Sequence, residues 1–260
     1  MKISYVSYAL FSILLLSPYI INADTNPYEK LAKKEFSFLN KNKVANSLFI
    51  LPPPPSNDSV EFLSDKTSFE QAVILRGSSR WHQAISDADL SHINIGKPFS
   101  EALGINISST NTPNTYILLK HISPDAGTWG SLEAKEYYKR TRPFVFFNTS
   151  SCTPNEDAIL MKDGSYPSGH TAYGWATALI LAEIAPTRQN EILKRGYDFG
   201  QSRVICGAHW QSDVNAGRLI GSAVVARLHT SPEFQQALSL AKDEINQKMN
   251  CDRKMNNLQQ

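Results

Sequence analysis

Pro167-Ser168-Gly169-His170-Thr171-Ala172-Tyr173-Gly174-Trp175-Ala176-Thr177-Ala178-Leu179-Ile180-Leu181-Ala182-Glu183-Ile184 is the stretch that decides the fold of this chain. From His170 to Ile184 it is apolar nearly all round, through Ala172, Trp175, Ala176, Ala178, Leu179, Ile180 and Leu181. A helix of that kind belongs in the middle of a bundle, because no face of it suits water. Downstream, Ala185-Pro186 ends it and starts a second helix running to about Ile205. Cys206-Gly207 interrupts, and Val214, Leu219, Ile220, Ala223 and Val224 mark a third to about Leu228. Ser231-Pro232-Glu233 then opens a fourth, with a cap, a proline in the first turn and an acid at the positive end. Phe234, Leu238, Ala241 and Ile245 continue it at helical spacing.

Upstream the signals are weaker. Ser64-Asp65 reads as the start of another helix, and Phe144 to Phe147 is the best short strand candidate in a chain where alternation is scarce. The pattern predicts an all-α, single-domain helical bundle over residues 61–249. Before it, residues 24–60 form an extended segment in which Pro52-Pro53-Pro54-Pro55 is a stiff strap against the main body, or a docking element for a partner. Residues 250–260 are expected to be a flexible tail.

The chain has 260 residues, 42% of them hydrophobic, enough to fill a substantial core. Twenty-six basic against 24 acidic residues, a net charge of +2, give no basis for binding a nucleic-acid polymer. Lys139 and Arg140 are too few for a basic stripe. Met1-Lys2, the largely apolar run from Ile3 to Ile21 and Ile21-Asn22-Ala23 read as a signal peptide, residues 1–23, cleaved before Asp24. An uncleaved anchor is the competing reading, since the uncharged stretch could just span a bilayer. Ser4, Ser7, Ser12, Ser17 and Pro18 dilute and break that stretch. No later segment is long and apolar enough to cross a membrane, so no membrane association is expected after cleavage. An oxidising compartment favours a bridge, and Cys152 with Cys206 is the expected pair because each flanks a motif block. Three reduced thiols, with Cys251, is the alternative.

Three blocks carry chemistry. Lys135-x6-Arg142-Pro143 puts two cations about two turns apart, on one face of a helix that the proline stops at Arg142. The guanidinium can grip two phosphate oxygens, while the lysine acts as a point charge. A solvated basic helix end is the bland reading. Pro167-Ser168-Gly169-His170 leads into the central helix, whose start offers unpaired N–H groups to an anion. There Ser168 donates to a phosphate oxygen or caps the helix, Gly169 admits close approach, and His170 stands ready to protonate a leaving oxygen; a plain cap with a structural histidine is the alternative. Ser202-Arg203-x5-His209-x3-Asp213 adds a third cation and a histidine with a carboxylate four residues on. The carboxylate would hold one ring nitrogen so that the other is nucleophilic, against the alternative of an ordinary surface pair. Taken together, several converging donors and two histidines in different protonation states suit phosphoryl transfer through histidine, with an acidic-to-neutral optimum.

In this order the blocks resemble the signature of the phosphatidic-acid phosphatase type 2 superfamily, which also contains the vanadium haloperoxidases. The fuller stretches Ala134-Lys135-Glu136-Tyr137-Tyr138, Gly164-Ser165-Tyr166 and Arg203 to Asp213 are similar to the class A bacterial non-specific acid phosphatases, which are secreted to the periplasm. The resemblance implies a homo-oligomeric all-α fold of the acid phosphatase and haloperoxidase type, with no metal and no cofactor. It makes His209 the nucleophile, Asp213 its orienter and His170 the general acid. Lys135, Arg142, Arg203, Ser168 and Gly169 become the phosphate cradle. Small phosphorylated substrates are implied, namely nucleotides, aryl and sugar phosphates. Cleavage of di- or triphosphates and transfer to an alcohol are implied variants, and phosphate, vanadate or molybdate are the expected inhibitors. Trp129, six residues before Lys135, is expected to stack on an aryl or nucleobase leaving group, or simply to pack.

Three rival readings meet an obstacle in the residue pattern, and a fourth does not. An integral lipid phosphatase needs several spans, and an exported partner-binding protein has no use for an intact nucleophile, acid and orienter. A metal hydrolase built on His170, His209 and Asp213 would place a divalent ion among Lys135, Arg142 and Arg203. A vanadium haloperoxidase shares the residues and is separated by its chemistry, bromination with peroxide.

Overall fold

The computed structural model describes residues 37–91 and 94–258, with only the backbone described over 252–258. The expected signal peptide and the first part of the extended segment lie outside the described residues, as do the side chains of nearly all of the expected tail. The longer helices are α1 (Val60–Val73), α2 (Ser79–Ala88), α3 (Pro113–Ser123), α4 (Gly130–Tyr138), α5 (Gly169–Ile184), α6 (Gln189–Ile205), α7 (Gln211–Leu228) and α8 (Pro232–Leu258). No strand occurs among the described residues, and none of their helices is long and apolar enough to cross a membrane.

The apolar stretch is α5, and it occupies the centre: Ala172, Ala176, Ala178, Ile180 and Leu181 are wholly buried. Helices α6 and α7 flank it, and α3 packs beside α8. Small residues let these elements meet backbone to backbone. A Cβ added at Gly217 would lie 2.5 Å from the Ser168 carbonyl oxygen, and one at Gly221 2.6 Å from that of Ala172. Those contacts fix α7 against the start of α5, where the chemistry-bearing residues lie.

Two expectations need correction. Helix α1 begins at Val60, with Ser59 as its cap accepting from Phe62 N–H at 3.1 Å, and not at Ser64. The earlier start brings Phe62 and Asp65 onto the buried face. Phe144 to Phe147 is no strand: Pro143–Phe146 is a short helix begun by the proline, whose fixed φ suits a first turn. Phe146 and Phe147 instead pack their rings about Trp210, at 5.6 and 5.9 Å between centroids. The strap meets the body where Tyr166 Oη donates to the Pro52 carbonyl at 2.8 Å. Cys152 and Cys206 are bridged, and Cys251 is free and exposed.

Candidate active site

The first block does not lie on one helix. Helix α4 carries Lys135 but ends at Tyr138, because Lys139 adopts a left-handed conformation with φ 44°. Arg142 is extended, as a residue before proline must be, and reaches the site from its own loop. The turn at Lys139 also swings Arg140 inward. Its guanidinium donates to Asp213 Oδ1 at 2.6 Å, Asp65 Oδ2 at 2.8 Å and Ser212 Oγ at 2.7 Å.

Lys135 and Arg142 are both buried and both converge on the loop at 163–164. Lys135 Nζ donates to the Gly164 carbonyl at 2.5 Å and pairs with Asp163 Oδ2 at 3.2 Å. Burial, and then the neighbouring Arg142, bring its pKa down to about 8. Arg142 donates through Nε to the Leu160 carbonyl at 2.9 Å, and through Nη2 to Asp163 Oδ2 at 3.2 Å. Its Nη1 donates to the Ala208 carbonyl at 3.0 Å and to His209 Nε2, also at 3.0 Å.

The second block starts α5. Ser168 is its cap, accepting from the Thr171 N–H at 3.3 Å and the Thr171 hydroxyl at 2.9 Å. Its oxygen is therefore engaged, and only the hydroxyl hydrogen remains to offer a ligand. Gly169 is needed for packing, since a Cβ there would lie 2.3 Å from the Gly127 carbonyl oxygen. His170 Nε2 donates to the Ala88 carbonyl at 3.0 Å, which leaves Nδ1 as the nitrogen that exchanges a proton.

The third block lines the floor. His209 lies between α6 and α7, and its Nδ1 donates to the Ser165 carbonyl at 2.8 Å. Asp213 Oδ2 is farther from that nitrogen, at 3.5 Å, so the carbonyl and not the carboxylate makes the orienting bond. Asp213 is instead a hub, accepting at Oδ2 from Ser165 Oγ at 2.5 Å and from the Trp210 N–H at 2.8 Å, with Arg140 on its other oxygen. This fixes the tautomer: with the proton on Nδ1, His209 Nε2 keeps its lone pair. Arg203, on α6, is wholly buried, and none of its three guanidinium nitrogens has a hydrogen-bond partner among the described residues. Burial, then Arg142, lowers its pKa to about 10, which leaves it charged.

Both histidines are held well below the ordinary value of 6.5. For His209 the cause is burial first, then Arg142, Lys135 and Arg203. For His170 it is burial, then Arg203, opposed by the bond to Ala88. In the unliganded site both rings are therefore neutral at mildly acidic pH. A cavity of about 370 Å³ opens above them, lined by Lys135, Arg142, Asp163, Gly169, His170 and His209, with Leu90, Gly127, Thr128, Leu132 and Leu160 at its sides. The three blocks thus meet at one place. Gly127 and Thr128 belong to a π-helical turn, Pro124–Trp129, a form often found at functional sites. Trp129 itself is half-buried and is not among the described residues lining this cavity. The apolar wall is supplied by leucines.

Asp65, Arg140, Asp163 and Ser165 were not legible as site residues. Arg140 reaches the site only because the helix stops at Lys139, Asp65 and Asp163 lie outside the three blocks, and Ser165 orients His209 through its carbonyl, which no side-chain pattern marks.

A family model described as the PAP2 superfamily matches residues 116–236. The chain is 49% identical over 213 residues to the non-specific acid phosphatase of Salmonella typhimurium, covering 82% of this chain and 85% of that protein. It is 48% identical over 213 residues to the non-specific acid phosphatase of Providencia stuartii, covering 82% and 86%. With the acid phosphatase of Zymomonas mobilis it shares 40% over 199 residues, covering 76% and 74%.

Proposed function

The chain belongs to the PAP2 superfamily, among the bacterial non-specific acid phosphatases, and on that footing we propose that it hydrolyses phosphomonoesters through a phosphohistidine on His209. The observation that carries this reading is Arg203. A buried guanidinium with five donors and no acceptor is costly unless an anion arrives to take them. Its field falls on both His170 and His209, so the missing anion belongs beside those rings.

Phosphate entering the cavity takes hydrogen bonds from Arg203, Lys135 and Arg142, and Arg142 Nη1 turns from His209 Nε2 to an oxygen. That exchange frees the Nε2 lone pair as the phosphorus comes within reach. Nε2 forms the N–P bond while the ester P–O bond breaks, and His170 Nδ1–H gives its proton to the leaving oxygen. In the second half His170 takes a proton from water, whose oxygen attacks phosphorus, and the N–P bond breaks to return His209 and release phosphate. His209 is neutral at acidic pH because burial, and then the cations around it, disfavour a second proton on the ring. The negative charge of bound phosphate raises the pKa of His170, so the acid acquires its proton together with the substrate.

The same reading makes the protein an exported, periplasmic, metal-independent homo-oligomer acting on nucleotides and on aryl and sugar phosphates. Phosphate, vanadate and molybdate are its competitive inhibitors. The test is hydrolysis of a phosphomonoester panel across pH, in chelator, by the native chain and by His209→Ala. We expect activity in the first and a loss of at least about 10⁴-fold in the second, the scale of removing a nucleophile. An active His209→Ala variant, or activity that chelator abolishes and zinc restores, would overturn the mechanism.

A further inference from the structure

Among the described residues, one carboxylate outside the blocks touches the cradle. Asp163 Oδ2 is 3.2 Å from Lys135 Nζ and 3.2 Å from Arg142 Nη2. Its side chain is 53% exposed, whereas those of Lys135 and Arg142 are 10% and 2% exposed. Asp163 therefore covers two buried cations from the solvent side. It lines the active-site cavity and also an adjoining one of about 360 Å³, so it stands in the wall between them. The other charged or titratable groups around it are His170 and His209 across the first cavity, and Glu136, Lys139, Arg140 and Lys162 around the second.

A phosphate oxygen that binds the same N–H groups meets this charge at next-neighbour distance. Among the described residues no carboxylate hydrogen-bonds to Arg203, with Glu156 and Asp87 acting on it only through their charges, so one negative charge on the ligand finds uncommitted donors. A second negative charge must share Lys135 and Arg142 with Asp163. Phosphomonoesters lose their second proton at about pH 6. We infer that Asp163 is a built-in counter-ion that makes this site prefer the monoanion of its phosphate ester to the dianion. The inference rests on the phosphatase reading above and adds to it the ionic form that is bound. Asp163 sets the alkaline side of the activity profile through substrate charge and takes no part in the bond changes.

The experiment is steady-state hydrolysis of phenyl phosphate at pH 5 and pH 7 by the native chain, Asp163→Asn and Asp163→Glu, with inhibition by inorganic phosphate measured in parallel. The asparagine variant should gain about tenfold in kcat/KM at pH 7, carried by KM, a modest share of the repulsion between unit charges several ångströms apart. At pH 5 it should change by no more than about twofold. The phosphate inhibition constant should tighten in the same pattern, and the glutamate variant should follow the native chain. The backbone anchor survives all three, since Arg142 Nε also donates to the Asp163 carbonyl at 3.2 Å. An equal gain at both pH values, no gain, or a loss in Asp163→Asn would overturn the inference while the native chain stays active. A native chain inactive on every monoester would instead overturn the phosphatase reading.

Discussion

Arg140 and Arg203 are buried arginines at the same end of the bundle with opposite surroundings. Arg140 is held between Asp65 and Asp213 and donates to Ser212 as well. Asp65 is itself completed by Ser212, whose N–H and hydroxyl donate to it at 2.8 and 2.5 Å. Arg203, by contrast, leaves every guanidinium nitrogen without a hydrogen-bond partner among the described residues. The first is a closed network, in which each charge is answered from within the chain. The second is open, and its answer has to come from a ligand. A buried charge left unpaired by folding costs stability, whereas a buried charge that is paired is expensive only to disturb. The site joins the two: Asp213 belongs to the closed network and lies 3.5 Å from the ring of His209, and the charge of Arg203 acts on both His170 and His209.

The largest effect expected is on the closed side. Replacing Arg140 by Met strands Asp65 and Asp213 as buried charges and should cost about 3–5 kcal/mol of unfolding free energy. Denaturant unfolding of the unliganded protein measures it; a change under 1 kcal/mol would mean the network is no better anchored than the open side. Arg203→Met should do the reverse. Catalytic efficiency should fall about 10²–10³-fold, equivalent to about 3–4 kcal/mol in the transition state. Unliganded stability should hold or rise, because an uncompensated charge has been removed. Equal destabilisation by both variants would break the contrast.

Gly169→Ala probes the seam between the regions. Its new methyl meets the Gly127 carbonyl, and overpacking of this kind costs about 1–3 kcal/mol. The loss should appear in thermal stability and also in kcat, since the start of α5 carries His170. The smallest effect is in pH. The folded-state pKa values of His170 and His209 lie below the unfolded value, so the stabilisation they allow is present above pH 6.5 and is lost as pH falls. Each ring should remove about 1 kcal/mol per pH unit below that point. Thermal unfolding of the native chain at pH 7 and pH 5.5 reads the loss, and added phosphate should shrink it. A loss undiminished in His170→Gln and His209→Gln would assign it to other groups.

The bundle's second half was written locally. Apolar runs, Ala185-Pro186, Cys206-Gly207 and Ser231-Pro232 set where α5 to α8 begin and end, and each signal lies within a few residues of its effect. The first block could not be read that way. The bend at Lys139 accompanies bonds from Arg140 to partners 73 and 75 residues away, which local spacing cannot register. The same holds for the histidines. Their positions were visible as motif residues, but the groups that orient them are carbonyls of Ser165 and Ala88, and a carbonyl leaves no mark in a sequence. Trp129 shows a related limit: distance along the chain from Lys135 does not register which way a π-helical turn faces its side chains.

The close meeting of α5 and α7 has a bearing on how such a protein can diversify. Where glycines bring Ser168 and Ala172 against Gly217 and Gly221, there is no room for a larger residue, so the machinery beneath the phosphate has almost no freedom to drift. Room for change lies instead at the rim, where Leu90, Thr128, Leu132, Leu160 and Asp163 line the cavity. New substrate ranges would then arise by repainting the doorway of an unaltered room.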